Sequence, residues 1–304
     1  MKASFGVVAT LAFFFSFARL PAQTLVEMDF VLYLADVNTG AIKKFNSAGQ
    51  GSAFGNVGFV NPVGLAVDGG GNLFVANRSG GVSGTINRFT PGGTLSLFSS
   101  DMNFPSKMAF GPDGNLYAGM VGNNTVRKFN SLGQGTTFAG SGLSGPIPLA
   151  FDHSGNLYVG NIHNGTITKF GPNGQPSLFA NAGLYPYGMT FDNADNLYVV
   201  NFGDNNIVRI DPSGNSSLFA DLSDGLSAPV DIVFDGTGSL LVLNLGNNVI
   251  QRFDLAGNAS FFANTGMDHP ESMAIYIVPE PGCAALLLLS GGFLFARPRR
   301  CQPR

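Results

Sequence analysis

Short apolar runs recur along most of the chain, and turns rich in Gly, Asn, Asp and Pro separate them. One run, Leu-Tyr-Val or a close variant, returns every 40 to 43 residues, with its leucine at positions 32, 73, 116, 157, 197 and 240. Runs of this length, rich in Val, Ile, Phe and Tyr, are typical of buried β-strands. The pattern therefore predicts a repeat protein built almost wholly of strands.

Each repeat contains four such runs. About ten residues after the leucine comes a run ending in Phe or Ile, such as Ile167-Thr-Lys-Phe170, and a Gly-bearing turn and a third run follow it. A proline then opens the last apolar run, at positions 62, 105, 146, 186, 229 and 270; a strand tolerates proline at its first residue. Four short strands in about 40–45 residues are typical of a propeller blade. Six repeats therefore predict an all-β, six-bladed β-propeller with four strands per blade.

The ends of the repeat region do not make a complete blade on their own. The region starts with a second strand, Val31-Leu-Tyr-Leu-Ala-Asp36, and ends with Ser272-Met-Ala-Ile-Tyr276, which has the pattern of an innermost strand. We expect this last strand to join the N-terminal strands in one blade. That arrangement closes the ring and removes exposed sheet edges.

The repeats resemble NHL repeats and the related propellers of the gluconolactonase and streptogramin-lyase families. The matching motifs are Pro-x-Gly-hydrophobic-x-x-Asp, Gly-Asn-Leu-Tyr-Val and Asn-Asn-Ile-x-Arg-Phe, and they span about residues 31 to 277. The resemblance implies the fold. It does not fix an activity, because propellers of this kind include enzymes and pure binding proteins alike.

Composition narrows the possible partners. Gly accounts for 42 of the 304 residues, which disfavours helix-rich folds. The whole chain has a net charge of −3, but residues 23–277 carry 18 acidic and 10 basic side chains, a net charge of −8. We therefore expect no nucleic-acid partner. Both cysteines, Cys283 and Cys301, follow the repeats, which leaves the repeat region without a disulfide or a thiolate metal site.

Residues 1–22 have the composition of a secretory signal peptide. A basic start at Lys2 precedes an apolar run from Phe5 to Phe17, and small residues follow it. Cleavage is expected after Ala18 or Ala22. The predicted organisation is thus a signal peptide (1–22), a propeller (23–277) and a C-terminal tail (278–304).

The tail contains three parts in order: Pro279-Glu280-Pro281, an apolar run from Cys283 to Ala296, and the arginines Arg297, Arg299 and Arg300. It resembles the PEP-CTERM sorting signal of Gram-negative bacteria. The resemblance implies an exosortase as processing partner, transient anchoring in the inner membrane, and a final place in the periplasm, on the cell surface or in the extracellular matrix. The apolar run has 14 residues, fewer than the roughly 20 of a stable span. An ordinary C-terminal anchor is the alternative.

Candidate site residues are sought where the repeat pattern is broken near the mouth of the propeller channel. The residue after the blade-opening proline is Glu271 in one repeat and uncharged in the others, and His269 precedes Glu271 by two positions. The second residue after the proline is more often Gly or another small residue, but one repeat has Asp231 there. His163 lies in a loop after a second strand. We treat these four as ligand or metal candidates and predict no catalytic residue.

Aspartates that recur once per repeat, such as Asp68 and Asp152, precede Gly-Asn and are interpreted as structural turns, with calcium binding as the alternative.

The resembling enzyme families define the functional alternatives. Gluconolactonase-like enzymes hold a divalent cation with Glu and Asn or Asp side chains from several blades, and streptogramin lyases use a His–Glu–His cluster. Only His269 and Glu271 match that cluster, because no histidine follows His269. We therefore expect a non-catalytic binding or scaffold module for an unknown ligand, glycan or envelope protein, with no cofactor. The alternatives are a metal-dependent lactonase- or streptogramin-lyase-like enzyme with its site and a divalent cation at the mouth, and a purely structural matrix protein.

Overall fold

A computed structural model describes residues 29–56, 58–78 and 83–279. The predicted signal peptide and the sorting tail from Glu280 onward lie outside the described residues. Within those ranges the only helix is a single 3-10 turn, Leu222–Asp224. No helix of the described part is long and apolar enough to cross a membrane.

Twenty-four strands of the described chain form six four-stranded antiparallel sheets, which are the six predicted blades. In order of blades 1 to 6, the innermost strands are β24 (Pro270–Ile277), β4 (Pro62–Val67), β8 (Pro105–Phe110), β12 (Pro146–Phe151), β16 (Pro186–Phe191) and β20 (Pro229–Phe234). The second strands are β1 (Phe30–Asp36), β5 (Leu73–Asn77), β9 (Leu116–Met120), β13 (Leu157–Asn161), β17 (Leu197–Asn201) and β21 (Leu240–Asn244). The third strands are β2 (Ala41–Asn46), β6 (Ser83–Phe89), β10 (Thr125–Phe129), β14 (Thr166–Phe170), β18 (Asn206–Ile210) and β22 (Val249–Phe253). The outermost strands are β3 (Gly51–Asn56), β7 (Leu95–Asn103), β11 (Gly135–Ala139), β15 (Pro176–Asn181), β19 (Ser216–Ala220) and β23 (Ala259–Asn264).

The core lies between neighbouring blades. The repeated leucine of each second strand is at most 1% exposed. In blades 2 to 5 the aromatic residue after it packs edge-on against rings from two blades: the Tyr158 centroid lies 4.8 Å from Phe179 in its own blade and 4.9 Å from Phe191 in the next. Such edge-to-face pairs add to the stabilisation from area burial, so each of these blades is stabilised by the next one.

The ring closes as the sequence predicts. β24, from the end of the repeat region, is the innermost strand of blade 1 and pairs with β1 from Phe30↔Ile277 to Asp36↔Pro270. The Val278 N–H then donates to the Asp29 carbonyl, with 2.9 Å between the atoms. Both ends of the described chain therefore lie side by side.

All six innermost strands start at one end of the channel, which we call the mouth. Each second strand returns there, since its last residue pairs with, or lies opposite, the proline that opens the innermost strand, as in Pro62↔Asn77. Two segments per blade meet at the mouth: a leading loop before the proline and a return turn after the second strand. In every blade, a backbone hydrogen bond of 3.0 to 3.1 Å joins the first residue of the return turn to the residue before the proline. Because β24 runs away from the mouth, the described chain ends emerge at the opposite face.

Candidate functional site at the channel mouth

An ion pair crosses the channel just inside the mouth. The third position of the innermost strands is mostly occupied by small or uncharged residues, but blade 3 carries Lys107 and blade 6 carries Asp231. These blades face each other across the ring. The Lys107 Nζ lies 2.8 Å from Asp231 Oδ1 and donates to the Val230 carbonyl at 2.7 Å. One side chain thus connects opposite sides of the propeller.

The carboxylate of Asp231 extends this connection to further blades. Its Oδ2 accepts the Met273 N–H at 2.7 Å and the Ser272 hydroxyl at 3.3 Å, both in blade 1. The Ser272 Oγ in turn accepts the Leu65 N–H of blade 2 at 3.1 Å. In blade 5, a Cβ on Gly188 would lie 2.8 Å from Asp231 Oδ1, so glycine leaves room for the carboxylate. The network therefore binds together the inner strands of blades 1, 2, 3 and 6.

Water has little access to this pair. The side chains of Lys107 and Asp231 are 8% and 7% exposed. Burial lowers the pKa of the Lys107 ammonium, and the carboxylates of Asp231 and Glu271 act in the opposite direction. Further from the mouth, the channel continues as a cavity of about 190 Å³ with Leu65, Met108 and other apolar side chains in its lining. The pair thus separates the mouth from this cavity.

A second polar layer lies closer to the mouth. Tyr187 of blade 5 and Glu271 of blade 1 occupy the position after the opening proline, and the Glu271 carboxylate acts electrostatically on the Tyr187 hydroxyl. Burial and the Glu271 carboxylate raise the pKa of Tyr187, while the Arg78 guanidinium lowers it. Arg78 begins the return turn of blade 2, where the other five blades have apolar residues, and its Nε donates to the Pro105 carbonyl at 2.9 Å.

The four residues predicted from the sequence do not form one cluster. Glu271 and Asp231 belong to the two polar layers. His269 is half-buried in the leading loop of blade 1, where its carbonyl accepts the Val37 N–H. His163 is exposed in the return turn of blade 4, next to Gly145. In the described part of the chain, no hydrogen bond joins either imidazole to Glu271 or Asp231.

Among the described residues, no group of three His, Cys, Asp or Glu side chains is placed to hold a metal ion. The recurring aspartates are occupied with their own turns: Asp152 Oδ1 accepts the Asn156 N–H at 2.8 Å, and its Oδ2 accepts the Asn156 side-chain amide at 2.7 Å. Asp68 and Asp192 repeat this arrangement with Asn72 and Asn196. Hydrogen bonding within the turn thus accounts for these side chains.

Three residues of the mouth were missed by the sequence interpretation: Lys107, Tyr187 and Arg78. Lys107 could have been recognised in the sequence. Like Asp231, it is a charged residue at the third position of an innermost strand, where Gly or another small residue is commoner. Arg78 could also have been recognised, as the charged member of an otherwise apolar set. The partnership of Lys107 with Asp231 had no local signal, since it joins two distant repeats.

The fold and the mouth define the chain as a six-bladed β-propeller with NHL-like repeats. Over residues 18–253 it matches the virginiamycin B lyase family, and since this is most of its length, the chain belongs to that family.

Solved structures of similar fold include a chain of a protein complex and two lyases. A chain of the nidogen/laminin complex has a TM-score of 0.71 and 21% identity, with 81% of this chain and 98% of that chain covered. A catalytically inactive variant of virginiamycin B lyase from Staphylococcus aureus with quinupristin has a TM-score of 0.58 and 19% identity, with 82% and 89% covered. A streptogramin B lyase has a TM-score of 0.57 and 18% identity, with 83% and 74% covered. No curated protein sequence gives a significant match.

Proposed function

We propose that this protein is an exported propeller of the cell envelope or extracellular matrix that binds a ligand or protein partner at its mouth without catalysis. The proposal rests on the interactions that the polar side chains at the mouth make with one another. Lys107 is paired with Asp231, and the Glu271 carboxylate helps to raise the pKa of Tyr187. General acid–base catalysis needs a group that exchanges protons near the working pH and reaches the substrate.

The groups in the two polar layers are poorly suited to that task. Lys107 is buried beneath the mouth, and the raised pKa of Tyr187 keeps its hydroxyl protonated. Histidine is the side chain that most often performs this task, and the two histidines of the mouth loops, His163 and His269, lie outside the layers. A rigid mouth supported by an internal ion pair is consistent with a binding surface, and a chain of similar fold occurs in the nidogen/laminin complex.

A second candidate is a lyase-like enzyme. It is favoured by membership of the virginiamycin B lyase family and by the convergence of Glu271, Tyr187 and Lys107 at one place. The catalytic alternative places the reaction at the mouth, with Glu271 as its acidic group and a divalent cation as cofactor.

Activity assays separate the two candidates. We expect the purified protein to leave lactones and quinupristin intact in the presence of added calcium, zinc or magnesium, because among the described residues no imidazole is hydrogen-bonded to Glu271 or Asp231. Product formation would be followed by mass spectrometry, with the Staphylococcus aureus lyase as a positive control on quinupristin. Saturable turnover that disappears in Glu271→Gln would overturn the binding proposal and establish the enzyme.

Export and sorting are also proposed, on the composition of residues 1–22 and 278–304. Proline disfavours the helical conformation in the residue before it, so we expect Pro281 to favour an extended backbone at Glu280 that a processing enzyme can reach. The arginine cluster opposes translocation of the end beyond it. Cleavage near this motif would release the acidic propeller and discard both cysteines.

Intact mass tests this directly. In a host with an exosortase, we expect a mature chain that ends near Pro279–Pro281, because the motif lies outside the membrane. In a host without one, the protein should stay membrane-associated with its whole tail. A mature form that still contains Arg300 in the native host would reject the sorting proposal in favour of an ordinary anchor.

A further inference from the structure

The residue before the opening proline adopts an unusual backbone conformation in five of the six blades. Its φ is positive at each of the following positions: Asn61 (58°), Phe104 (50°), Gly145 (67°), Tyr185 (55°) and Ala228 (48°). Gly and Asn tolerate this left-handed region, whereas bulky residues rarely adopt it. Blades 2 and 4 thus carry residues that suit the loop, and blades 3 and 5 carry aromatic residues that do not. Folding of the loop does not account for Phe104 and Tyr185.

Each of these aromatic rings lies against a glycine of its return turn. A Cβ on Gly122 would lie 2.9 Å from Cδ2 of Phe104, and a Cβ on Gly203 would lie 2.7 Å from Cδ2 of Tyr185. Any larger residue would displace the ring. Much of each ring still faces solvent: Phe104 is 38% and Tyr185 is 50% exposed. The loops therefore hold two aromatic side chains in fixed positions at the surface.

These rings belong to a continuous set of loops. Blade 4 lies between them and contributes the exposed His163, while Leu184, next to Tyr185, is 60% exposed. We call Phe104, His163, Leu184 and Tyr185 the aromatic arc. Aromatic side chains are enriched at the centre of protein interfaces, where a few residues supply much of the binding energy.

The negative charge of the surrounding loops favours a partner with basic side chains. The leading loops and return turns contain four aspartates and one arginine: Asp204, Asp221, Asp224, Asp268 and Arg78. Asp204 lies directly beside the arc, because its Oδ2 accepts the Leu184 N–H at 2.7 Å. Complementary charge on a partner steers its approach and fixes its orientation.

We propose that the aromatic arc docks a basic polypeptide segment with apolar side chains between its lysines or arginines. The inference rests on the proposed binding function and names the class of partner. The apolar side chains contact Phe104, Leu184 and Tyr185, and the basic side chains lie near Asp204 and the other loop aspartates.

A peptide-binding experiment tests it. The chain has no Trp, so the fluorescence of a short peptide of alternating lysine and tryptophan reports on the peptide alone. The probe is compared with the same peptide carrying glutamate in place of lysine. We expect saturable binding of the basic peptide, weakened by added salt, and none of the acidic one.

The variants replace the residue before the opening proline by a residue that another blade of this chain already has at that position. Phe104→Asn and Tyr185→Asn remove the rings and introduce the residue that blade 2 has at Asn61, so the loops should keep their conformation. The double variant should bind the basic peptide about tenfold more weakly or worse, with an unchanged or raised Tm. The matched control is Leu218→Asn on β19, where an apolar side chain that is 61% exposed lies on an outermost strand; its affinity should equal that of the wild type.

Equal binding of both peptides, no binding of the basic peptide, or full affinity in the folded double variant would each overturn the docking proposal. These results are independent of the quinupristin and lactone assays. Turnover there would refute the proposed function, whereas a failure of peptide binding would refute only this partner class.

Discussion

A chain that ends at His269, and so lacks β24, is expected to lose cooperative thermal unfolding and to aggregate. Without β24, the β1 strand loses its pairing from Phe30 to Asp36 and becomes an exposed sheet edge. The same truncation removes Ser272 and the Met273 N–H, two of the partners of Asp231. Calorimetry and light scattering on the purified chain would measure the effect.

The matched control ends at Pro279 and keeps β24 while lacking residues 280–304. It should unfold in one transition, at the temperature of a chain that carries the tail. If the chain that ends at His269 kept this transition, the ring would not depend on closure by β24.

Replacing Lys107 by Met is expected to lower the free energy of unfolding by about 3–5 kcal/mol, because it leaves the buried carboxylate of Asp231 without a counter-charge. The pair is almost wholly buried and links opposite blades. Chemical denaturation monitored by tyrosine fluorescence or circular dichroism gives the difference directly.

Two further variants show whether the burial of the pair causes the loss. Lys128→Met breaks an exposed pair, in which Nζ lies 2.7 Å from Asp113 Oδ2 and the two side chains are 34% and 38% exposed, and should cost about 1 kcal/mol or less. The double variant Lys107→Met/Asp231→Asn removes both charges and should recover part of the stability. A Lys107→Met protein as stable as Lys128→Met would show that the pair does not hold the channel together.

The fold could be predicted from the sequence because each repeat obeys the same local rules. The leucine at 32 and its five equivalents are buried, and the prolines open strands as expected. Closure of the ring could be predicted as well. The repeat region starts with a second strand that lacks an innermost strand and ends with an innermost strand that lacks a second strand, so the two complete one blade. Small differences remain at the ends: β24 runs from Pro270 to Ile277, longer than the predicted Ser272 to Tyr276.

The site was less accessible to sequence reasoning. Asp231 stood out as an exception to its repeat, but its partner depends on which blades face each other across the ring. Tyr187 gave no signal, because aromatic residues are common in this chain and only its position beside Glu271 makes it notable. Likewise, the exposure of Phe104 and Tyr185 follows from loop geometry and from Gly122 and Gly203, which pattern analysis does not reveal.

The position of the chain ends also determines how the molecule would be presented to its surroundings. Asp29 and Val278 are joined on the face opposite the mouth, and the apolar run begins at Cys283. The five residues 278–282 can span at most about 17 Å. A propeller tethered through this tail would stand on a short stalk with its mouth facing outward. The loops that carry Phe104 and Tyr185 would then be the part of the protein furthest from the lipid and the first to meet a partner arriving from outside the cell.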